Sequence, residues 1–266
     1  MASVFPTTSF DSLSEAFAGR TALIPYITAG YPKPDATVDL MNRLADAGAS
    51  IIELGAPFSD PVADGPTIQR SSQVALENGI TLDWTLETLA RFRSGAETPV
   101  VVFSYLNPIL SYGAERFIDA AVSAGAQGLL LTDLPLDADP ELEHTLEASP
   151  LALVRLLAPT TPPDRARAIA QHSQGFLYYV SRLGVTGVTQ NLRDSLLDEV
   201  RTVKAFSPVP VAVGFGISTA EQARRVAGVA DGVVVGSAII NALDRGGAAE
   251  AAALLKSMRE ALDQGS

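Results

Sequence analysis

Eight short apolar segments alternate with stretches of helical patterning, and this alternation limits the possible folds more than any other feature. Gly, Pro or Asp residues follow the segments, which are 21–30, 50–57, 99–105, 128–135, 151–159, 175–182, 208–216 and 232–238. Their near-continuous hydrophobicity, without strict alternation, indicates strands buried on both faces, as in a parallel sheet.

The stretches between these segments carry helical signals. In 35–48, Val38, Met41 and Leu44 fall on one face, and Gly48 is suited to end the helix. The same pattern predicts helices in 83–92, 113–125, 162–172 and 218–230. Eight strands alternating with helices predict an α/β fold, a (β/α)₈ TIM barrel.

A doubly wound open sheet is the structural alternative. It would leave most of the strands without a closing partner, and the chain lacks the GxGxxG turn of a dinucleotide-binding version. Segment 10–19 is predicted to be an extra N-terminal helix that closes the bottom of the barrel. Because no linker or low-complexity tract interrupts the pattern, we expect one domain over residues 1–266.

Composition excludes several classes of function. The chain has 266 residues and a net charge of −11, which argues against binding to nucleic acid or to an anionic membrane. A small anionic ligand stays possible, because backbone amides bind phosphate without net positive charge. The chain has no cysteine, no apolar run long enough for a membrane span and no secretory pattern at its start, so we expect a cytoplasmic protein.

Glycines end the last two predicted strands, where TIM barrels commonly bind phosphate. Strand seven ends in Gly214, Phe215 and Gly216, and strand eight ends in Gly236 and Ser237. Either motif alone could simply end a strand, but together they predict a phosphate site. The loop after strand six adds two candidates and has the glycine spacing of a lid: Thr186 and Gly187.

The remaining reactive side chains narrow the chemistry. No predicted strand carries a lysine, and the two histidines lie singly in helical stretches, so we expect neither a Schiff base nor a metal site. Carboxylates are therefore the main candidates for proton transfer.

Glu53 is the leading carboxylate. Alternation along its strand places Ile51, Glu53 and Gly55 on one face, and Ile52 and Leu54 on the other. If the branched residues pack under the helices, Glu53 faces the barrel mouth, where partial desolvation would raise its pKa. The alternative is a structural glutamate satisfied by backbone amides or an arginine.

Three aspartates near strand ends are further candidates. Asp64 precedes Pro66, so it could cap a helix or reach over the mouth to accept a hydrogen bond from a ligand N–H. Asp60 is typical of a turn or contact residue on the rim. Asp133 is a candidate for positioning or for signalling to a neighbour.

Apolar and aromatic residues cluster at the same strand ends. Individually they fit barrel packing, but together they would line a pocket above the phosphate end: Tyr26, Phe103, Tyr105, Leu130 and Tyr178.

The segment ELGAPFSDPVADGPTIQ, residues 53–69, resembles the signature of the tryptophan synthase alpha subunit family. Further matches follow in family order and extend the resemblance from about residue 20 to 240: 25–32, 105–110, 132–135, 181–187, 214–218 and 236–240. The departures are Tyr26, where Phe is common, and Thr132, where Pro is frequent.

The resemblance implies retro-aldol cleavage of indole-3-glycerol phosphate to indole and glyceraldehyde 3-phosphate. It implies that Glu53 protonates indole C3 and removes the side-chain hydroxyl proton, while Asp64 stabilises and accepts the proton of the indole nitrogen. It further implies that Thr186 closes over the site and that Tyr26 and Tyr178 border the indole. Phosphate would bind the amides of Gly187, Phe215, Gly216, Gly236 and Ser237.

The resemblance also implies a partner, a pyridoxal-phosphate beta subunit that receives indole in an alpha₂beta₂ complex. No cofactor is expected in this chain. Pro57 to Asp60 would lie near the subunit contact, which gives Asp60 a coupling role. The alternatives are a standalone lyase that releases free indole, a mainly regulatory barrel subunit and a different phosphosugar isomerase.

Overall fold

The computed structural model describes residues 13–181, 194–214 and 216–264. Eight parallel strands form a closed barrel in chain order, with β1 paired to both β2 and β8. The strands are β1 Ala22–Thr28, β2 Ile52–Gly55, β3 Val100–Ser104, β4 Gly128–Leu131, β5 Ala152–Leu157, β6 Leu177–Val180, β7 Val211–Gly214 and β8 Gly232–Val235. Every strand lies in a predicted apolar segment, so the barrel prediction is confirmed.

Helices surround the barrel, and a short 3₁₀ helix, Pro34–Ala36, precedes the first. In the described residues the α-helices are α1 Thr37–Asp46, α2 Pro66–Glu77, α3 Leu82–Arg93, α4 Leu106–Tyr112, α5 Ala114–Ser123, α6 Pro140–Glu147, α7 Pro163–Gln171, α8 Asp194–Lys204, α9 Ala220–Ala227 and α10 Ser237–Asp263. The five helical segments predicted above are confirmed as α1, α3, α5, α7 and α9. None of the described helices is long and apolar enough to cross a membrane.

The strands have apolar residues on both faces, and this produces two layers of core. Ile51, just before β2, belongs to a cluster inside the barrel, whereas Ile52 and Leu54 on β2 pack in the layer between barrel and helices. The predicted facing of this strand is therefore confirmed, and Glu53 lies on the interior face.

The N-terminal segment closes the barrel at the end opposite the site described below. Residues 13–15 are helical, and Leu13 is fully buried in the interior cluster. Phe17 packs against Phe176, with ring centroids 5.5 Å apart. Gly175 leaves room for Leu13, because a Cβ at that glycine would lie 3.0 Å from the leucine Cδ1. The described part of the segment thus agrees with the predicted closure, whereas one domain over all 266 residues stays a prediction.

Candidate active site

A cavity of about 100 Å³ lies at the carboxyl ends of the strands, where TIM-barrel enzymes place their chemistry. It brings together residues that are far apart in the sequence: Tyr26, Glu53, Asp64, Gly65, Ile68, Phe103, Tyr178, Gly216, Gly236 and Ser237. Eight of the predicted site residues thus meet in one place. Gly65 and Ile68 were missed, because they belong to the start of α2, which carries no signal beyond a helix.

Glu53 is buried without a partner. Its residue is 1% exposed, and neither carboxylate oxygen has a hydrogen bond. Burial raises the pKa of Glu53 to about 8, because the charged form would lose its hydration with nothing to replace it. The alternative of a glutamate held by amides or an arginine is therefore not what the structure shows. Glu53 carries a proton at neutral pH.

Asp64 is held differently. Its Oδ2 accepts a hydrogen bond from the Tyr105 hydroxyl at 2.9 Å, and that hydroxyl in turn accepts one from the Ala63 amide at 3.0 Å. Burial raises the pKa of Asp64 to about 6, although the Tyr105 hydrogen bond lowers it. Asp64 is not a helix cap, since α2 begins after Gly65 and no side chain caps it. It lines the mouth as an ionised acceptor at neutral pH.

Two glycines make room for two tyrosines. A Cβ at Gly55 would lie 2.2 Å from the Tyr26 hydroxyl oxygen, and one at Gly214 would lie 2.1 Å from that of Tyr178. Gly214 was predicted to bind phosphate, but the structure gives it this packing role and places it outside the cavity lining. Both tyrosines keep their buried rings at the cavity wall because these positions lack side chains.

A chain of hydrogen-bonded hydroxyl groups holds the Tyr26 side chain in place. Its hydroxyl lies 3.4 Å from the Thr28 hydroxyl, which lies 2.7 Å from that of Ser71. Ser71 donates to the Ile68 carbonyl, so Thr28 must donate to Ser71, and Tyr26 to Thr28. Thr28 and Ser71 were missed in the sequence, because their contact joins β1 to α2 across 43 positions.

The glycine-rich end of the cavity suits an anion. Gly236 and Ser237 line the cavity where α10 begins, so the first amides of this helix lie beside it. Gly216 also lines it, and its φ of +79° is one that glycine adopts without strain. Three predicted residues of this end lie outside the described residues: Thr186, Gly187 and Phe215.

The predicted apolar lining is partly found at the cavity. Phe103 lines it and meets the Tyr26 ring edge-on, with centroids 5.1 Å apart. Leu130 is instead fully buried in the interior cluster, and it does not line the cavity. Its place in β4 puts it among the side chains that fill the barrel beneath the site.

The residues predicted for the rim lie in the loop after β2, which holds Pro57 and Asp60, and in the loop after β4, which holds Asp133. Asp60 is exposed and accepts a hydrogen bond from the Ser59 hydroxyl at 2.8 Å, and Pro57 is half-buried. Asp133 accepts the Leu106 amide at 2.7 Å, so it holds the start of α4. Among the described residues, the exposed large apolar side chains are Val62, 83% exposed, and Leu110, 51% exposed.

The fold and this cavity define a class: a TIM-barrel enzyme of the acid–base type, with two carboxyl groups of different protonation and an end suited to an anion. Among the described residues, no cluster of histidine and carboxylate side chains could hold a metal ion.

Comparison with known proteins narrows the class to one family. The family model for the tryptophan synthase alpha chain matches residues 13–264. The alpha chain of Aromatoleum aromaticum is 49% identical over 251 residues, which are 92% of this chain and 93% of the relative. That of Xanthomonas axonopodis pv. citri is 49% identical over 255 residues, covering 93% and 95%. The chain belongs to the tryptophan synthase alpha chain family.

Solved structures agree. The alpha subunit from Legionella pneumophila is 41% identical, with a TM-score of 0.88 over 97% of this chain and 99% of that chain. Tryptophan synthase from M. tuberculosis, in its aminoacrylate-bound form, is 36% identical, with a TM-score of 0.85 over 94% and 99%.

Proposed function

We propose that this chain cleaves indole-3-glycerol phosphate to indole and glyceraldehyde 3-phosphate, the reaction of the tryptophan synthase alpha chain family, in tryptophan biosynthesis. The observation that carries the proposal is Glu53, a protonated and unpartnered carboxyl group that shares a cavity with the ionised Asp64. Two carboxyl groups whose surroundings separate their pKa values are suited to opposite roles in proton transfer.

Glu53 is assigned two proton transfers, one to indole C3 and one from the hydroxyl group of the substrate side chain. Its proton goes to indole C3, which leaves a carboxylate at residue 53 and a positive charge on the ring nitrogen. That carboxylate then takes the proton of the hydroxyl on the carbon attached to C3. The bond between this carbon and C3 breaks, the aldehyde forms, and the bonding electrons return to the ring. The protonated ring serves as the electron sink, and Glu53 ends as it began.

Asp64 is assigned to the indole nitrogen. The N–H becomes strongly acidic when the ring is protonated at C3, and an ionised carboxylate stabilises it by a charge-assisted hydrogen bond. The bond from Tyr105 holds Asp64 in place without occupying its second oxygen. The proton shared with Asp64 returns to the nitrogen as the ring regains its aromaticity.

Binding is assigned to the rest of the cavity. The phosphate is proposed to bind where Gly236, Ser237 and Gly216 lie, with Gly187 and Phe215 adding amides and Thr186 closing over the site. The indole is proposed to lie between Tyr26 and Tyr178, against Phe103. These roles are supported by the cavity lining wherever the residues are described.

A tryptophan synthase beta subunit is the proposed partner, with pyridoxal phosphate bound by that partner and none by this chain. An alpha₂beta₂ assembly would receive indole directly. The apolar side chain of Val62, 83% exposed and two positions after Asp60, is consistent with docking at this rim. A cytoplasmic location is part of the proposal, and cell fractionation tests it.

The test of the proposed chemistry is Asp64→Asn beside Asp60→Asn, an exposed aspartate in the same loop. Asp64→Asn should bind indole-3-glycerol phosphate but release indole about 100-fold or more slowly. A neutral amide neither stabilises the positive charge on the indole nitrogen as a carboxylate does nor accepts its proton. Asp60→Asn should stay close to wild type without a partner. Both are measured as indole and glyceraldehyde 3-phosphate formed in equal amounts, and near-normal turnover of Asp64→Asn would remove its assigned role.

A further inference from the structure

Asp244 joins three parts of the chain that lie far apart in the sequence. Its Oδ1 accepts a hydrogen bond from the Tyr31 hydroxyl, in the loop after β1, and its Oδ2 accepts one from Arg70 Nη2 on α2. Asp244 itself lies on α10. One carboxylate thus connects the end of β1, α2 and α10, and we call these three residues the Asp244 clamp.

The clamp holds the part of α10 that begins at the proposed phosphate site. The helix starts at Ser237, and Asp244 follows seven positions later, about two turns along the axis. The helical backbone is then interrupted at Gly246 and Gly247, and the φ of Gly247 is +69°. The short helical segment 237–245 therefore carries the proposed phosphate amides in its first turn and the clamp in its last.

Local helix stability does not explain an aspartate at position 244. The carbonyl end of a helix carries a partial negative charge, so a carboxylate in the last turn before an interruption is destabilising. Aspartate also has a lower helix propensity than most residues. The contacts with Tyr31 and Arg70 offset both effects, so the reason for this residue lies in the tertiary structure.

The clamp also holds the start of α2, beside the carboxyl groups of the site. Arg70 lies in the second turn of α2, and Asp64 lies in the loop just before this helix. Ile68, which lines the catalytic cavity, is two positions before Arg70. The Ser71 hydroxyl lies 2.7 Å from that of Thr28. The start of α2 is thus bonded to β1 through Ser71 and to α10 through Arg70.

Tyr31 distinguishes the clamp from an ordinary surface ion pair. The side chains of Arg70 and Asp244 are 51% and 33% exposed, and a pair as exposed as this contributes little to stability by itself. Tyr31 is only 6% exposed and its ring packs in the outer core layer, so its hydroxyl is a fixed donor. Apolar packing is non-directional, whereas a hydrogen bond to a fixed donor orients the helix that accepts it.

We propose that Asp244 is a positioning residue, which sets the distance between the phosphate-binding start of α10 and the indole-binding Asp64. This role rests on the proposed function, which assigns the two ends of the cavity. Asp244 does not line the catalytic cavity, so it acts through the two helices. A substrate that must reach both ends at once binds well only when the distance between them matches its length.

Replacing Asp244 should cause a loss that appears only when the two ends of the ligand are linked. In chains that carry Glu53→Gln, in which turnover is expected to stop, Asp244→Ala should weaken binding of indole-3-glycerol phosphate about fivefold or more. Inorganic phosphate alone and indole alone should each keep their affinity within about twofold, because each end of the cavity stays intact. Calorimetric titration measures the substrate and indole, and the Ser237 amide resonance follows phosphate.

Glu250→Ala is the matched control. It removes a carboxylate from the same helix, and the ion pair of Glu250 with Arg245 is exposed and 4.0 Å long. All three affinities should stay within about twofold. Both changes introduce alanine, the best helix former, at exposed helical positions, so both chains should fold, and denaturant unfolding checks this.

Arg70→Ala should weaken substrate binding less than Asp244→Ala does, because the bond from Tyr31 stays. The double change should weaken it no more than Asp244→Ala alone, since both changes act on one contact.

Substrate binding by Asp244→Ala that equals binding by Glu250→Ala would overturn the proposal and make the clamp an ordinary surface contact. A loss of the same size for phosphate alone would also overturn it, because Asp244 would then only maintain the start of α10. Indole release by the otherwise unchanged chain tests the proposed function separately. A chain that binds the substrate without cleaving it would lose that function, while the three affinities would still decide the role of Asp244.

Discussion

Glu53 and Asp64 carry the same functional group, yet their surroundings give them different protonation at neutral pH. Glu53 has lost water and gained no partner, whereas Asp64 keeps a hydroxyl donor, Tyr105. Their pKa values of about 8 and about 6 therefore leave a window in which the first is an acid and the second an anion. The assigned mechanism needs that combination of states.

The pH dependence of kcat/KM should be bell-shaped, with limbs near pH 6 and pH 8. Below the acid limb Asp64 gains a proton and can no longer accept the indole N–H. Above the basic limb Glu53 loses the proton that it gives to C3.

Tyr105→Phe should move only the acid limb. The hydroxyl stabilises the ionised form of Asp64, so its removal raises the pKa of Asp64 and shifts that limb upward by about one pH unit. Tyr112→Phe is the control, since the Tyr112 hydroxyl donates to Asp83 away from the cavity. An unchanged acid limb in Tyr105→Phe would contradict the assignment of that limb to Asp64.

For single residues, the sequence predicts which face of a strand a side chain lies on better than it predicts which side chains are in contact. The period of two along β2 was enough to place Glu53 on the interior face of the barrel, and the desolvation expected there agrees with its raised pKa. The contact between Gly214 and Tyr178 left no sign in the sequence, because a glycine that ends a strand looks the same whether it leaves room for a phosphate or for a tyrosine ring from the neighbouring strand. The ion pairs of the buried Arg155 gave no sequence signal either, since its partners, Glu143 and Glu147, lie on α6.

At the scale of elements, neighbouring strands fit together through glycines in the layer just below the cavity. Tyr26 on β1 lies over Gly55 on β2, and Tyr178 on β6 lies over Gly214 on β7. Each tyrosine thus fills the space that a side chain on the following strand would occupy. The width of the cavity depends on these pairs.

Gly55→Ala should destabilise the chain by about 1–3 kcal/mol, because its Cβ would lie within 2.7 Å of three atoms of Tyr26 and force the ring to move. Gly95→Ala is the control, as nothing lies within 4 Å of a Cβ there. Denaturant unfolding measures both. Equal stabilities would show that the Tyr26 ring is not confined as described.

The start of α10 is the element assigned to the phosphate. Gly236→Val should weaken binding of indole-3-glycerol phosphate about tenfold or more and binding of indole by a smaller factor, because the added atoms lie beside the first amides of α10 and only secondarily against Tyr26. Gly236→Ala should be mild, since its Cβ makes only ordinary contact with Tyr26 at 3.6 Å. Equal losses for both ligands, measured by titration, would count against this phosphate site.

At the scale of the whole molecule, barrel closure is what assembles the site. Its lining comes from β1, β2, β3, β6, the loop after β2 with the start of α2, the loop after β7 and the start of α10, which meet only because all strands are parallel and the sheet closes. The fold was predictable because eight apolar segments and their helices repeat the same local signal. The cavity was less predictable, because two of its side chains come from outside the strands: Ile68 on α2, and Asp64 in the loop before α2, which Tyr105 holds.

The most direct test measures indole release from indole-3-glycerol phosphate by wild type and Glu53→Gln, each with and without a tryptophan synthase beta subunit. The account predicts slow release by wild type alone, strong acceleration by the partner, and a loss of about 100-fold or more in the variant under both conditions. Fast release that the partner leaves unchanged would point to a standalone lyase. Release by Glu53→Gln within a few-fold of wild type would contradict the central claim that Glu53 transfers the proton.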